Sequence, residues 1–246
     1  MKKIFHSFLL CTTFTGITLK TADQWLEFSE QQIQGKRSVG EYAMTIKTEN
    51  WERNLEIESS IEGTDRSLIF IKSPAKEKGI GTLRIGNNLW NYFPKIKKKI
   101  IVSPSMLLSS WMGSDFTNDD LLKASSVFVD YHHDFLPDET INNEVYKVIN
   151  NTAKSEAKVI WPKIISYSSF KDCLPRIKKY YDKKGNLKRT MTFSEVKKFG
   201  NHLVPSVIEI RPEDNNQKVT RLIYKKLNFD VTFKSDQFSE KKLTGN

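Results

Sequence analysis

Cysteine is almost absent from the 246 residues: Cys11 and Cys173 are the whole supply, which excludes a scaffold stapled by disulfides. Histidine numbers 4 and offers little to a zinc site. The adjoining pair in YHHD, His132 and His133, would point to opposite faces of a strand and would not converge on one ion. No G-x-S-x-G elbow occurs, and Ser114 within GSD has no base close to it in the sequence, so a hydrolase has no recognisable nucleophile. Asp115, Asp119 and Asp120 lack the alternating oxygen ligands and the central glycine of an EF-hand loop. No cofactor or metal is expected, and the chain does not read as an enzyme. Long apolar runs are missing too. After Met1-Lys2-Lys3, the stretch IFHSFLLCTTFTGITL is broken by Ser and Thr and is too short to span a bilayer.

That opening stretch has the layout of a secretory signal peptide, a basic start followed by a short apolar run. It is expected to occupy residues 1–22, with cleavage near Gly16-Ile17-Thr18 or after Ala22, and it directs the chain across the inner membrane to the periplasm. Leucine before Cys11 is a poor fit to lipoprotein-type cleavage, so lipid anchoring at Cys11 is not expected. Without the leader Cys173 stands alone, reads as a small semi-buried residue, and leaves no intramolecular disulfide. Hydrophobic residues at 38% and aromatics at 11% suffice for a core. No linker, repeat or low-complexity tract divides residues 23–246, which read as one domain.

The segment TADQWLEFSEQQIQ has the spacing of an amphipathic helix, with Thr21 or Asp23 near its start. From Gly40 the period changes. Segments from EYAMTIKTE to KKKIIVSP are short, rich in β-branched and aromatic residues, and divided by Gly, Asn-Asn and Pro, as in an antiparallel meander. The pattern breaks at Pro104, where SMLLSSWMGSDFTNDDLLKA has helical composition. Thr117 and Asp120 resemble a capping box there, and Gly113 separates two short helices. Strands resume from SSVFVDYHHDF to KVTRLIYKKLNFDV, with hairpin turns at DKKG and Gly200-Asn201. The expected fold class is mainly β with α: a curved antiparallel sheet of about ten or eleven strands, curling into a barrel or half-barrel, with the two helical pieces on the concave apolar face.

The net charge of +10 suggests an anionic partner, either nucleic acid or a phospholipid surface. PKIKKKI and PRIKKYYDKK place lysine beside tyrosine, a nucleic-acid pattern, but an export signal argues against that partner. The lysines then guard strand edges, or Lys97, Lys98 and Lys99 dock anionic headgroups or an acidic protein. The insertion also concentrates Met106, Leu107, Leu108, Trp111, Met112, Phe116, Leu121 and Leu122. Helical spacing makes these core packing, while the same residue types also suit an adaptable lipid or peptide groove.

GNNLWNYFPKIKKKI, SSWMGSDFTNDDL and YYDKKGNLKRTMTFSEVKKFGNHLVPSVIEI resemble the LolA-like outer-membrane lipoprotein-sorting family, particularly its transporter-linked branch, over about Gly40 to Leu243. The resemblance implies an open half-barrel whose concave apolar face is closed by helices around a cavity for acyl chains. It implies a carrier of lipoproteins or lipids, with lipoprotein acyl chains or phospholipid as cargo, transient contact with a membrane surface, an inner-membrane transporter as partner, and a monomeric state. The alternative is a sensor or accessory subunit of a transporter or envelope-stress complex. On this basis Leu68, Phe70, Leu83, Ile85, Trp90 and Tyr92 are expected to face the cavity beside Met106, Leu107, Leu108, Trp111, Met112, Phe116 and Leu121. The aspartates would cap and position a lid hinged at Gly113. No charged residue matches those that lock the lid of the family's lipoprotein shuttle.

Overall fold

The computed structural model describes residues 19–122, 127–157 and 159–245; most of the expected leader, Cys11 included, lies outside the described residues. Helix α1 (Ala22–Gln34) begins where Thr21 and Gln24 form a capping box and ends at Gly35, whose φ is 60°. Ala22, Trp25, Leu26, Ser29 and Glu30 are buried, so the helix presents one continuous stripe to the sheet.

Thirteen strands follow: β1 (Arg37–Lys47), β2 (Glu52–Glu62), β3 (Arg66–Ser73), β4 (Gly81–Ile85), β5 (Asn88–Phe93), β6 (Lys98–Ile101), β7 (Tyr131–Ile141), β8 (Glu144–Ala153), β9 (Lys163–Ser169), β10 (Pro175–Tyr181), β11 (Leu187–Phe199), β12 (His202–Pro212) and β13 (Val219–Asn228). They form one sheet in the order β6-β5-β4-β3-β2-β1-β13-β12-β11-β10-β9-β8-β7. Two antiparallel meanders are thus fused where β1 pairs with β13. The sheet is curved and open, as a half-barrel, with β6 and β7 as its free edges.

The fold class is the expected one; the strand number is higher. The expected turn at DKKG is present between β10 and β11, where the Asp182 carboxylate accepts the backbone N–H groups of Lys184 and Asn186, both at 2.9 Å. A second difference concerns SSVFVDYHHDF. Val127–Asp130 forms a short helix, α3, and the strand starts at Tyr131. It then runs through Pro137, with a register shift between Leu136 and Glu139. Proline is tolerated because β7 is an edge with no neighbour to receive its missing N–H.

Between β6 and α3 the chain crosses the concave face through 3₁₀ turns at Pro104–Met106 and Trp111–Gly113 and the short helix α2 (Asn118–Leu122). Strand alternation supplies the core beneath it. Met44, Ile46, Leu55, Ile57 and Ile71 pack against Trp111 on one half, and Ile164, Tyr180, Met191, Phe193, Ile208 and Ile210 line the other. Phe116, Leu222 and Tyr224 touch both clusters.

The convex face of β3–β5 is covered by the chain's own end, which includes α4 (Glu240–Thr244). Phe233, Phe238 and Leu243 pack there on Leu68, Phe70, Leu83, Trp90 and Tyr92. A Cβ on Gly81 would stand 2.7 Å from both Leu243 and Phe70, so glycine is required for this close approach. The expectation for β3–β5 is therefore corrected in direction. Thr82, Arg84, Leu89 and Asn91 point to the concave side, and the residues of opposite parity, Leu68, Phe70, Leu83, Ile85, Trp90 and Tyr92, point away from it. Cys173 is fully buried in a cluster with Trp25 and Ile149, deeper than the semi-buried position expected of it. Among the described residues no helix is long and apolar enough to cross a membrane.

Candidate binding cavity

A cavity of about 210 Å³ lies between the concave face of β9–β11, α1, α2 and α3. Its wall from the sheet is built by alternation: Lys178 and Tyr180 on β10, and Met191 and Phe193 on β11, with Trp161, Ile164 and Ser166 beside them. Its roof comes from Leu26 and Glu30 of α1, Phe116, Asp119, Asp120 and Leu121 of the insertion, and Val127 of α3. Aromatic and aliphatic groups dominate, but two buried ion pairs stand at the seams between roof and wall.

The first pair ties α1 down. Glu30 accepts from the Lys178 ammonium at 2.7 Å, and Ser29 shares a hydrogen bond with Ser168 at 3.1 Å. Burial alone would lower the pKa of Lys178, but the Glu30 carboxylate, aided by Tyr180, holds the ammonium above the ordinary lysine value. The second pair ties the insertion down. Arg189, one place along the inward face of β11 from Met191, donates to Asp120 at 2.5 and 2.7 Å and to the Asp115 carbonyl at 3.2 Å. Its guanidinium lies over Trp161 and Tyr180, 4.7 and 4.2 Å from the ring centroids.

The MGSDF stretch is a closed loop bolted to the sheet. Trp111 N–H donates to the Phe116 carbonyl at 2.7 Å, and the Ser114 hydroxyl donates to the Trp111 carbonyl at 2.7 Å. Met112 and Gly113 both adopt left-handed φ values, 50° and 74°, which glycine accommodates at the second position. The Trp111 indole N–H reaches the Thr82 hydroxyl at 3.0 Å. Asp115 is held by Lys218 at 2.8 Å and by the Thr220 hydroxyl at 2.8 Å. Arg53 donates to the Met112 carbonyl, and Arg84 to the Leu121 carbonyl at 3.4 Å. Asp120 also closes the capping box, accepting from Thr117 N–H at 2.8 Å while its own N–H donates to the Thr117 hydroxyl at 3.2 Å.

Of the residues marked out by sequence, Phe116 and Leu121 line the cavity. Trp111 and Met112 pack on the β1–β3 half instead, and Leu107 joins Leu89, Val102 and Leu121 near β5. Met106 and Leu108 are exposed. The strand candidates on β3–β5 do not enter the cavity. Glu30, Trp161, Lys178, Tyr180, Arg189, Met191 and Phe193 were not singled out by sequence. One signal for Arg189 was available: in LKRTMTF the residues 189, 191 and 193 share a face, and an arginine inside an otherwise apolar row implies a buried partner.

A family model described only as that of an uncharacterized protein matches residues 63–245. Solved structures share the architecture. A DUF1329 family protein from Desulfovibrio piger superposes with a TM-score of 0.83 at 20% identity, over 90% of this chain and 97% of that one. A domain assigned to outer membrane lipoprotein sorting from Vibrio parahaemolyticus gives 0.80 at 19% identity, over 91% and 98%. A LolA superfamily protein from Nitrosomonas europaea gives 0.77 at 22% identity, over 91% and 100%. At these identities the likeness is one of fold. No curated protein matches the sequence.

Proposed function

The chain belongs to the family matched over residues 63–245 and has the LolA-like fold of outer-membrane lipoprotein-sorting proteins, and from that premise we propose that it is a periplasmic carrier that holds acyl chains of lipoproteins or lipids without chemical turnover. The observation that carries this reading is the cavity between β9–β11 and a roof of short helices. Its aromatic and aliphatic lining suits hydrocarbon. At about 210 Å³ it is smaller than the ~300–1,000 Å³ usual for ligand pockets, so a long acyl chain needs it to widen.

Loading requires the roof to lift. The gain is large enough to drive this: each buried methylene contributes about 0.8 kcal/mol, so a sixteen-carbon chain offers roughly 12 kcal/mol before ordering costs. The roof resists through Glu30–Lys178 and Asp120–Arg189, whose separation leaves charges in a poorly hydrated site until water reaches them. Gly113 beside Met112 is the proposed hinge of the insertion, and Phe116, Leu121, Met191 and Phe193 are the proposed acyl contacts. The balance between cargo burial and roof closure gives a protein that holds hydrocarbon in water and releases it where a better acceptor exists.

The test is mass spectrometry of organic extracts from protein purified out of its native envelope without detergent. A stoichiometric lipid or acylated peptide is expected, reduced in Phe193→Asp. Protein that is folded and free of any lipid would sink the reading.

A further inference from the structure

The sheet ends at β6, a strand of 4 residues flanked by 3₁₀ turns at Pro94–Ile96 and Pro104–Met106. The stretch from Pro94 to Leu108, which contains this free edge, has no acidic residue. It holds three of the four most exposed large hydrophobic residues among those described: Ile96 at 67%, Leu108 at 61% and Ile101 at 55%. Lys99 is engaged by Glu240 of α4. Lys95, Lys97 and Lys98 have no ion pair among the described residues.

Single exposed apolar residues carry no message, but several on one rim interleaved with lysine do. Strand addition is a poor use of this edge. The ladder on offer is four residues long, is ended on both sides by turns, and bears the lysines that discourage edge pairing. Three protruding aliphatic tips with unpaired ammonium groups between them match another partner, the boundary of headgroup and acyl chain in an anionic bilayer. The edge also borders the cavity on its concave side. Ile101 pairs with Trp90 on the convex side, whereas Val102, on the opposite face, packs with Leu89, Leu107 and Leu121, and Leu121 lines the cavity, so an apolar seam beneath the edge leads inward.

We propose that the β6 rim docks the protein on an anionic phospholipid surface, with Ile96, Ile101 and Leu108 entering the boundary region and Lys95, Lys97 and Lys98 facing phosphates. The seam is then the portal for acyl chains; that part rests on the carrier reading, whereas docking does not.

Flotation of the full chain with vesicles of phosphatidylglycerol and phosphatidylcholine, against vesicles of phosphatidylcholine alone, tests it. Binding is expected to the anionic vesicles and to weaken with salt. K95E/K97E/K98E should bind them about a hundredfold more weakly. I96S/I101S/L108S should lose binding as well, with both variants melting at the wild-type temperature. Absence of wild-type binding, or wild-type binding by both variants, overturns the proposal. So does a rim that fails on vesicles yet, through the same lysines, retains an acidic envelope protein. Vesicle binding by a protein that never carries lipid would keep the rim and remove the carrier reading; lipid extracted from a protein that ignores vesicles would do the reverse.

Discussion

Arg189 and Asp120 meet face on, with hydrogen bonds of 2.5 and 2.7 Å between the guanidinium and the two carboxylate oxygens, and the side chains are 5% and 15% exposed. The pair joins β11 to the insertion across 69 residues of chain. Desolvation would lower the arginine pKa, but Asp120 more than compensates and holds the guanidinium charged.

Breaking one side of this pair should be costly. Asp120→Asn or Arg189→Met alone leaves the other charge buried and is expected to lower stability by about 3–5 kcal/mol. The double variant Asp120→Asn/Arg189→Met should recover much of that loss. Urea denaturation of the four proteins gives the coupling energy; a value near zero would show that the two residues do not act as a pair.

Trp111 offers a smaller and cleaner case. Trp111→Phe keeps an aromatic ring against Met44 and Ile71 but deletes the indole N–H that reaches Thr82. A loss of about 1 kcal/mol is expected, equivalent to a melting temperature lower by about 2–4 °C for a domain of this size. Thr82 also donates to Asn91 at 2.7 Å and so is not stranded by the change. An unchanged melting curve would show that ring burial alone fixes the insertion.

The alternation of apolar and polar residues made the strands legible, and the Asp182 turn and the Thr117–Asp120 capping box could be read from side-chain chemistry. What alternation does not reveal is which parity faces inward when both faces of the sheet are covered. On β4 and β5 the inward set is mostly polar, Thr82, Arg84 and Asn91 beside Leu89, because it hydrogen-bonds the insertion and its own neighbours, while the apolar set meets Phe233, Phe238 and Leu243, a C-terminal cover that lies about 150 residues away in sequence from the strands it protects. The cavity was hidden for a related reason. Lys178 and Arg189 look like surface charges until Glu30 and Asp120 are brought to them by folding.

Alkaline pH should unfold the protein sharply. Burial raises the pKa of Tyr42, Tyr131, Tyr180 and Tyr224, with the Asp119 charge adding at Tyr131 and the Tyr42 neighbour at Tyr224. The folded state therefore favours the neutral phenols. Their contribution is fully present below the ordinary tyrosine pKa of about 10 and is lost as pH rises beyond it, because the unfolded chain ionises first. Lys178, raised by Glu30, has the same sign. Absorbance at phenolate wavelengths should show these tyrosines titrating together with loss of circular dichroism; smooth titration in a protein that stays folded would contradict their burial.

The two apolar faces can be separated by function. Leu83 is fully buried against Phe238 and Leu243 on the convex side, so Leu83→Ala is expected to cost about 2–5 kcal/mol of stability while leaving the folded fraction able to take up an acyl chain. Phe193 lines the cavity, and Phe193→Trp adds bulk to a space of about 210 Å³. It should reduce uptake of a fluorescent acyl probe severalfold with a smaller effect on stability, since the added ring fills a void instead of opening one. Stability from denaturant curves and uptake from probe titration are independent readouts. If Leu83→Ala abolished uptake while Phe193→Trp did not, the binding face would be the convex one, and the strand set Leu68, Phe70, Leu83, Trp90 and Tyr92 would regain its claim as the site, reached by displacement of the C-terminal cover.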